Sequence, residues 1–412
     1  MLRNKRIILG ITGGIAAYKG AELCRLLVKS GCDVSVIMTE SAQRFISPMT
    51  LEVLSGRPVG ISLWATISDT SSAQRQIHHT EAGRHADCIV IAPATANFVG
   101  RLSHGLADDL LTSVVMASTT PVLICPAMNV EMFHNPLVQQ NFARLSEISR
   151  YSVVPPGSGD LACGVIGEGR LAEAADILAA LERVFLPKDL TNRNFLVTAG
   201  PTHEHFDPVR YLSNPSTGKM GYALATAAQE RGATVQLVSG PVHLPTPPDV
   251  ELVSVVSAEQ MAEAVEQYIA KTDVLLMAAA VSDWRPEIYQ AQKVKKETSN
   301  RDPSRHVMLT RTRDILLETK RHHNVVRVGF AAETEHILQH AKDKLVRKEL
   351  DLIVANDVAA PQTSQTGFGT DTNAGWLVFS DGRTEELPLM TKKAFAHRIL
   401  DAIVTIRKKE AV

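Results

Sequence analysis

The first residues able to do chemistry are Thr12-Gly13-Gly14, which follow the apolar run ILGI and open a helix-like stretch. Glycines at a strand-to-helix turn let the backbone approach a phosphate, and a helix N-terminus offers unpaired N–H groups carrying partial positive charge. A dinucleotide fingerprint GxGxxG demands glycine where Ala17 stands, so a mononucleotide such as FMN fits at least as well as NAD. A tight turn with no ligand is the plainer alternative. Thr39, after a second apolar run, and Ala94-Thr95-Ala96-Asn97, after a third, converge on one crevice if the sheet is doubly wound. Small residues with hydroxyl and amide groups suit a flat ring that must be approached closely.

Acid–base and hydrogen-bonding candidates are scattered more widely. His78-His79 sit in a polar segment; such a pair is more often surface or core than catalytic, and nothing near it completes a metal site. Asn129 ends the run Pro126-Ala127-Met128-Asn129 with a side chain that both donates and accepts. Cys163, with Gly164, Gly167, Gly169 and Arg170 close behind it, reads as a position on a mobile flap and not in a core. Two later motifs mislead. His203-Glu204-His205 lacks the HExxH spacing of a metal helix, and Ser216-Thr217-Gly218-Lys219 has Ser213 where a P-loop needs glycine and Met220 where it needs Ser or Thr.

The elements that must position these residues repeat along the chain. ILGITGG leads into AAYKGAELCRLLVKSG and a strand at Val34 to Met38; LVTAGP leads, after a long polar loop, to MGYALATAAQERG and a strand at Val235 to Val238. HADCIVIAPATAN and KTDVLLMAAAVSD then match as a pair, as do PVLICPAMN and VVRVGFAAE. Strands alternating with helix-period segments imply βαβ units and parallel sheets with ligands beyond the carboxyl ends. Phe195 to Gly221 is the second beginning, and the polar, proline-broken stretch Leu186 to Asn194 marks the boundary, giving domains 1–188 and 189–412. Lys392 to Lys409 reads as an amphipathic helix with Phe395, Ile399, Ile403 and Ile406 on one stripe and a solvated basic end.

The chain of 412 residues carries 43 basic and 44 acidic side chains, so nothing favours broad binding to nucleic acid or membrane, and small ligands are expected. Its five cysteines are scattered without CxxC spacing, which argues for a reducing, cytoplasmic setting. The glycines in MLRNKRIILGITGGIAA break what otherwise resembles a signal peptide, and no apolar stretch reaches the ~20 residues of a spanning helix.

The order and approximate spacing of the glycine turn, APATAN, GLADDLLT, PAMN and ACGVIGEGR resemble the flavin-dependent cysteine decarboxylases. The second half resembles the ligase of the bacterial bifunctional phosphopantothenoylcysteine decarboxylase/phosphopantothenate-cysteine ligase family. This resemblance implies a flavodoxin-like domain holding FMN through Gly13, Gly14, Thr39, Ala94, Thr95 and Asn97. It implies that His79 is the catalytic histidine, with His78 as its rival, that Asn129 grips the substrate carboxylate, and that Cys163 is the proton donor. In that chemistry FMN oxidises the cysteine thiol to a thioaldehyde, which serves as electron sink for loss of carbon dioxide; the enethiol is then protonated and reduced.

For a Rossmann-like ligase domain, Glu204 and Asp207 match the ligase pattern TxExxDPVR, and the resemblance implies that Arg210 and Asn214 in the same reaction loop stabilise an acyl-cytidylate made from phosphopantothenate and CTP, which cysteine then opens. CTP would be met by Met277, Ala278, Ala279, Asp283, Arg313, Asp314, Ile315 and Phe330, by Lys293 on a mobile loop, and by Lys344 and Lys348 on one helix face. Arg313-Asp314-Ile315 departs from the family's usual Asn-Pro-Asp-Ile. Mg2+ is implied with CTP, as are decarboxylase trimers and ligase dimers. A nicotinamide-dependent oxidoreductase and a non-catalytic regulatory flavoprotein are the competing classes.

Overall fold

The computed structural model describes residues 2–63, 79–160, 166–295, 306–333, 335–357, 366–367 and 369–410. The chain divides into two compact units, Met1–Leu186 and Pro187–Val412.

In the N-terminal unit, strands β1 (Arg6–Ile11), β2 (Asp33–Met38), β3 (Cys88–Ala94), β4 (Val122–Pro126) and β5 (Tyr151–Val153) form a parallel sheet ordered 2-1-3-4-5. That is the flavodoxin-like order, whose switch point lies between β1 and β3. The strands read as continuous apolar runs because helices cover both faces. They are α1 (Ala17–Lys29), α2 (Pro48–Ser55), α3 (His79–His85), α4 (Ala96–Ser103), α5 (Leu110–Met116), α6 (Val130–Phe133), α7 (Pro136–Ser146) and α8 (Ala174–Val184). Burial splits accordingly: Leu9, Leu23, Leu27, Val36 and Leu181 pack on one side of the sheet, and Ile8, Ile89, Phe98, Leu111 and Ile124 on the other. Strands β6 (Gly157–Asp160) and β7 (Ile166–Arg170) form a separate antiparallel hairpin.

The C-terminal unit starts a second sheet with β8 (Asn194–Ala199), followed by the short hairpin β9 (Glu204–His205) and β10 (Tyr211–Leu212). Helix α9 (Lys219–Glu230), strands β11 (Thr234–Ser239) and β12 (Val250–Ser254), helix α10 (Ala258–Ile269) and strand β13 (Val274–Met277) continue the winding. After the small ribbon of β14 (Trp284–Pro286) and β15 (Leu309–Arg311) come α11 (Ile315–Glu318), β16 (Val326–Glu333), α12 (Ile337–Lys348) and β17 (Leu352–Asp357). Strands β18 (Thr372–Phe379) and β19 (Thr384–Thr391) add antiparallel, and α13 (Lys392–Glu410) closes the unit.

The sheet order, 12-11-8-13-16-17-18-19, gives a six-stranded parallel portion in which the strands in chain order lie 3-2-1-4-5-6. That is the Rossmann order, with its switch point between β8 and β13. Helix α13 packs Phe395, Ile399, Leu400 and Ile403, all fully buried, into the core that also holds Phe195, Leu224 and Val328.

The connecting stretch belongs to the C-terminal unit by its bonds. Lys188 Nζ donates to Glu230 O (2.7 Å), Leu190 N–H donates to Arg231 O (3.1 Å), and Asp189 accepts from Arg231 Nη2 (2.6 Å). Among the described residues no helix is long and apolar enough to cross a membrane.

Candidate active sites

In the N-terminal unit, Thr12 follows β1 and its buried hydroxyl fixes the switch point. It donates to Pro93 O (2.8 Å) and accepts from the Thr95 N–H (3.0 Å), tying the end of β1 to the end of β3. Thr95 in turn N-caps α4 by accepting from the Phe98 N–H (3.4 Å). A Cβ on Gly13 would lie 2.3 Å from Ser41 Cβ and 2.8 Å from Ser41 carbonyl carbon, so only hydrogen fits there. The result is a cavity of about 990 Å³ lined by Gly13, Gly14, Thr39, Thr95, Asn97 and Asn129. Ala94, buried as the last residue of β3, supports this surface from behind and does not line it. The volume lies at the upper end of the range typical of cofactor sites, roughly 300–1,000 Å³.

Asn129 N-caps α6, its Oδ1 accepting from the Glu131 N–H (2.8 Å), which turns the residue into the cavity that it lines. The β6–β7 hairpin docks on the preceding residue: Met128 N–H donates to Gly169 O (2.9 Å). Gly169 has φ +134°, and a Cβ there would sit 2.2 Å from Met128 O. The hairpin therefore joins the Asn129 loop at a point where no side chain is tolerated. Cys163 and His78 lie outside the described residues; His79 opens α3, with its side chain also outside them. The other four cysteines are buried, and burial pushes the Cys24 thiol up to about 11, the Cys88 thiol up to about 12 and that of Cys125 higher still. They are packing residues.

In the C-terminal unit, residues 200–218 fold over the end of β8. Ala280 N–H donates to Gly200 O (2.9 Å), and Asn214 Nδ2 donates to Ala280 O (2.9 Å), so the predicted loop meets the end of β13 directly. Asn214 spends one amide hydrogen on this contact and keeps a second hydrogen and its oxygen. Glu204, buried, accepts from the Ala258 N–H at the start of α10 (2.9 Å), a favourable place for a carboxylate. Asp207 is also buried. Its Oδ1 accepts from the Val209 and Arg210 N–H groups (2.8 Å each), and its Oδ2 accepts from Arg210 Nη2 (2.6 Å). Burial alone would raise its pKa, but these bonds outweigh burial and hold the carboxyl well below the usual carboxylate range.

The predicted nucleotide contacts divide into groups. Ala279 N–H donates to Thr198 Oγ1 (3.2 Å), fixing the β13 end against β8, while Asp283 stands exposed beyond it. On α12, Lys344 Nζ donates to Phe330 O (2.8 Å), and Lys348, one turn on, is buried in an ion pair with Asp314. Arg327 caps the end of that helix by donating to Lys348 O (3.3 Å) and Glu349 O. Burial lowers the pKa of Lys348, against the pull of Asp283. Lys344, Phe330, Lys348 and Asp314 are thus brought together. Arg313 turns away to Glu318 (2.5 Å), Glu259 (3.1 Å) and Glu266 (3.4 Å), and Ile315 is buried in the core under α10. Lys293 is exposed on the 290–295 segment.

Three buried residues that stand in the sequence motifs acquire specific structural roles. Thr12 and Thr202 are strand-end hydroxyls, Thr202 accepting from the Ser282 N–H (3.0 Å), and Asp207 is the acceptor on which its loop is organised. The motifs marked the positions, Thr12 beside the first glycine turn and Thr202 and Asp207 in TxExxDPVR, but not the partners that give each its role.

A flavodoxin-ordered unit with a cavity at its switch point, followed by a Rossmann-ordered unit, defines a protein of two fused doubly wound domains. Residues 1–186 match the Flavoprotein family, and residues 190–406 match the DNA/pantothenate metabolism flavoprotein C-terminal domain. The chain is 44% identical to the coenzyme A biosynthesis bifunctional protein CoaBC of Bacillus subtilis (strain 168), over 99% of each chain. It is 42% identical to that of Escherichia coli (strain K12), over 98% of each. A crystal structure of the C-terminal domain of a CoaBC protein matches at 38% identity and TM-score 0.46, covering 54% of this chain and 99% of that one. The chain belongs to the bifunctional coenzyme A biosynthesis (CoaBC) family. It is a bifunctional enzyme, with a flavoprotein decarboxylase domain followed by a ligase domain.

Proposed function

We propose that the C-terminal unit activates 4'-phosphopantothenate with CTP as an acyl-cytidylate and joins it to cysteine, and that the N-terminal unit decarboxylates the product to 4'-phosphopantetheine with FMN. The observation that carries the decarboxylase half of this reading is the cavity at the β1/β3 switch point, which combines a glycine turn, strand-end hydroxyls and the Asn129 amide on one surface.

The residues present fit FMN. The Gly13-Gly14 turn and the α1 N-terminus suit its phosphate, and Thr39, Thr95 and Asn97 suit its ring and ribityl edges. When bound, FMN supplies reversible two-electron chemistry at the substrate thiol. The protein's own part is to orient and to move protons. Asn129 holds the departing carboxylate through its amide N–H, Cys163 delivers a proton to the carbon that loses carbon dioxide, and His79 serves as the further catalytic residue. The boundary between the two activities falls at residues 188–189.

In the ligase, Arg210 and Asn214 bear on the acyl phosphate, and Lys293 joins them from its own segment. The ends of β13 and β16, at Met277, Ala278, Ala279 and Phe330, receive the base and ribose with Asp283. Lys344 and Lys348 serve the phosphates, with Arg313, Asp314 and Ile315 shaping the adjoining turn. Mg2+ would enter with the triphosphate, as it commonly does; among the described residues no group of three or more His, Cys, Asp or Glu is arranged to hold a metal. Exposed Ile15 and Tyr18 at the cavity favour a second copy covering it, in keeping with decarboxylase trimers, and ligase domains pairing as dimers complete the assembly. Buried, unpaired cysteines favour a cytoplasmic setting.

The test is mass spectrometry of products after incubation with phosphopantothenate, cysteine, Mg2+ and CTP. Phosphopantetheine with CMP is expected. Phosphopantothenoylcysteine alone, with FMN verified as bound, would remove the decarboxylase assignment.

A further inference from the structure

The segment bearing Lys293 has little of its own holding it in place. Residues 287–293 are exposed and form no helix. What fixes the segment is a row of bonds to residues 206–210: Gln290 N–H donates to Phe206 O (2.9 Å), Val294 N–H to Asp207 Oδ2 (3.2 Å), and Arg210 Nη2 to Val294 O (2.6 Å). Asp207 is common to both sides. Its Oδ2 receives Arg210 Nε (3.1 Å) and Nη2 (2.6 Å) together with the Val294 N–H, while Oδ1 closes the turn through Val209 and Arg210. The guanidinium is further steadied over the Phe206 ring, 5.3 Å from its centroid.

We infer that Asp207 is a positioning residue of the ligase, whose buried carboxylate aligns Arg210 and seats the Lys293 segment as one unit. This rests on the ligase reading above, in which Arg210 and Lys293 are catalytic. With Nε and Nη2 committed to Asp207 and Val294, Arg210 has Nη1 to offer an acyl phosphate. The same carboxylate that orients the arginine holds the backbone beside Lys293, so the two cations are presented together or not at all. Both carboxylate oxygens face donors, Oδ2 the guanidinium and the Val294 N–H, Oδ1 the Val209 and Arg210 N–H groups, and a neutral amide at position 207 cannot reproduce this, since its NH2 would face a donor. Misplacing reacting groups by about 1 Å is worth roughly 100-fold in rate.

The experiment uses the full-length protein and measures pyrophosphate release with CTP, Mg2+, phosphopantothenate and cysteine. Wild-type release dependent on phosphopantothenate establishes the ligase reading independently; its absence overturns that reading and, with it, the role given to Asp207. Given wild-type activity, Asp207→Asn is expected to lower kcat about 100-fold with KM for CTP changed less than about 3-fold. The loss should be flat from about pH 6 to pH 9, because the native carboxylate stays ionised throughout. In an Arg210→Ala background the same change should cost about tenfold or less, since only its hold on the Lys293 segment is left to lose. Val294→Pro removes one donor on an exposed segment without touching the core, and about a tenfold fall in kcat is expected. An Asp207→Asn enzyme within about 3-fold of wild type overturns the inference, as does a penalty undiminished in the Arg210→Ala background. If Asp207→Asn fails to fold, the Val294→Pro result decides: wild-type turnover there overturns it.

Discussion

Both units lead a buried strand into a glycine turn, but β1 reaches α1 across residues 12–16, whereas residues 200–218 separate β8 from α9. In the first unit the crevice exists because side chains are absent: glycine at 13 and 169, small residues at the ends of β1 and β3, and one threonine hydroxyl tying them. In the second, the crevice is occupied by the chain's own loop, held by Glu204, Asp207 and Asn214 to groups on other segments. A site made by removal of atoms is sensitive to added bulk. A site made by charged hydrogen bonds is sensitive to lost partners.

The largest effect should come from adding bulk to the first unit. Gly13→Ala would drive a methyl into the backbone and Cβ of Ser41, and overpacking of this kind costs about 1–3 kcal/mol or displaces the turn. Loss of bound flavin absorbance and at least a ~100-fold drop in decarboxylation are expected, with pyrophosphate release by the ligase unchanged. Equal loss of both activities would break the contrast between the units. Asn129→Asp is next. It keeps the cap on α6 but sets a negative charge against the substrate carboxylate, so decarboxylation should fall about 100-fold while the thermal transition stays put.

Arg231→Ala probes the second unit alone. Its side chain is only 2% exposed and bridges Asp189 and Asp401, so its removal leaves two carboxylates facing a void. Because both partners are partly exposed, about 2 kcal/mol is expected, less than for a fully buried pair. Calorimetry should show a lower transition for the ligase unit and an unmoved one for the flavoprotein unit. The smallest effect belongs to Thr95→Ala, which removes a cap and a bond to Thr12: about 1 kcal/mol from the first unit, with flavin affinity weakened several-fold by titration.

The alternation of apolar runs with helix-period segments was enough to find the central parallel strands of both sheets, because parallel strands buried on both faces leave a continuous signal, but not β5, β12 or the antiparallel β18 and β19 at the sheet edges. Lys392–Glu410 was legible for a related reason: the apolar stripe Phe395, Ile399, Ile403 faces a core. The strand-end loops were legible at Gly13, Thr95 and Asn129, which do line one cavity. Less could be read around Arg313, whose three glutamate partners come from α10 and α11 and leave no local pattern. Asp207 was marked by its place in TxExxDPVR, but its partner was not legible: the Val294 N–H lies far along the chain and is a backbone group that any residue but proline supplies.

The packing of α13 also bears on how the protein is made. Helix α9 packs on β8 and β11, yet part of the surface it buries is supplied by Phe395, Ala396, Ile399 and Leu400, and Arg231 at its end waits for Asp401. During synthesis the flavoprotein unit has all its strands once residue 186 has emerged and can fold while the rest is being translated. The ligase unit cannot finish in the same way: its first helix stays partly uncovered until residues 395–403 have emerged. A nascent ligase half therefore presents part of an apolar helix for the full interval of its translation, and premature termination before residue 392 should yield a coloured, flavin-binding product carrying an unfolded, protease-sensitive tail.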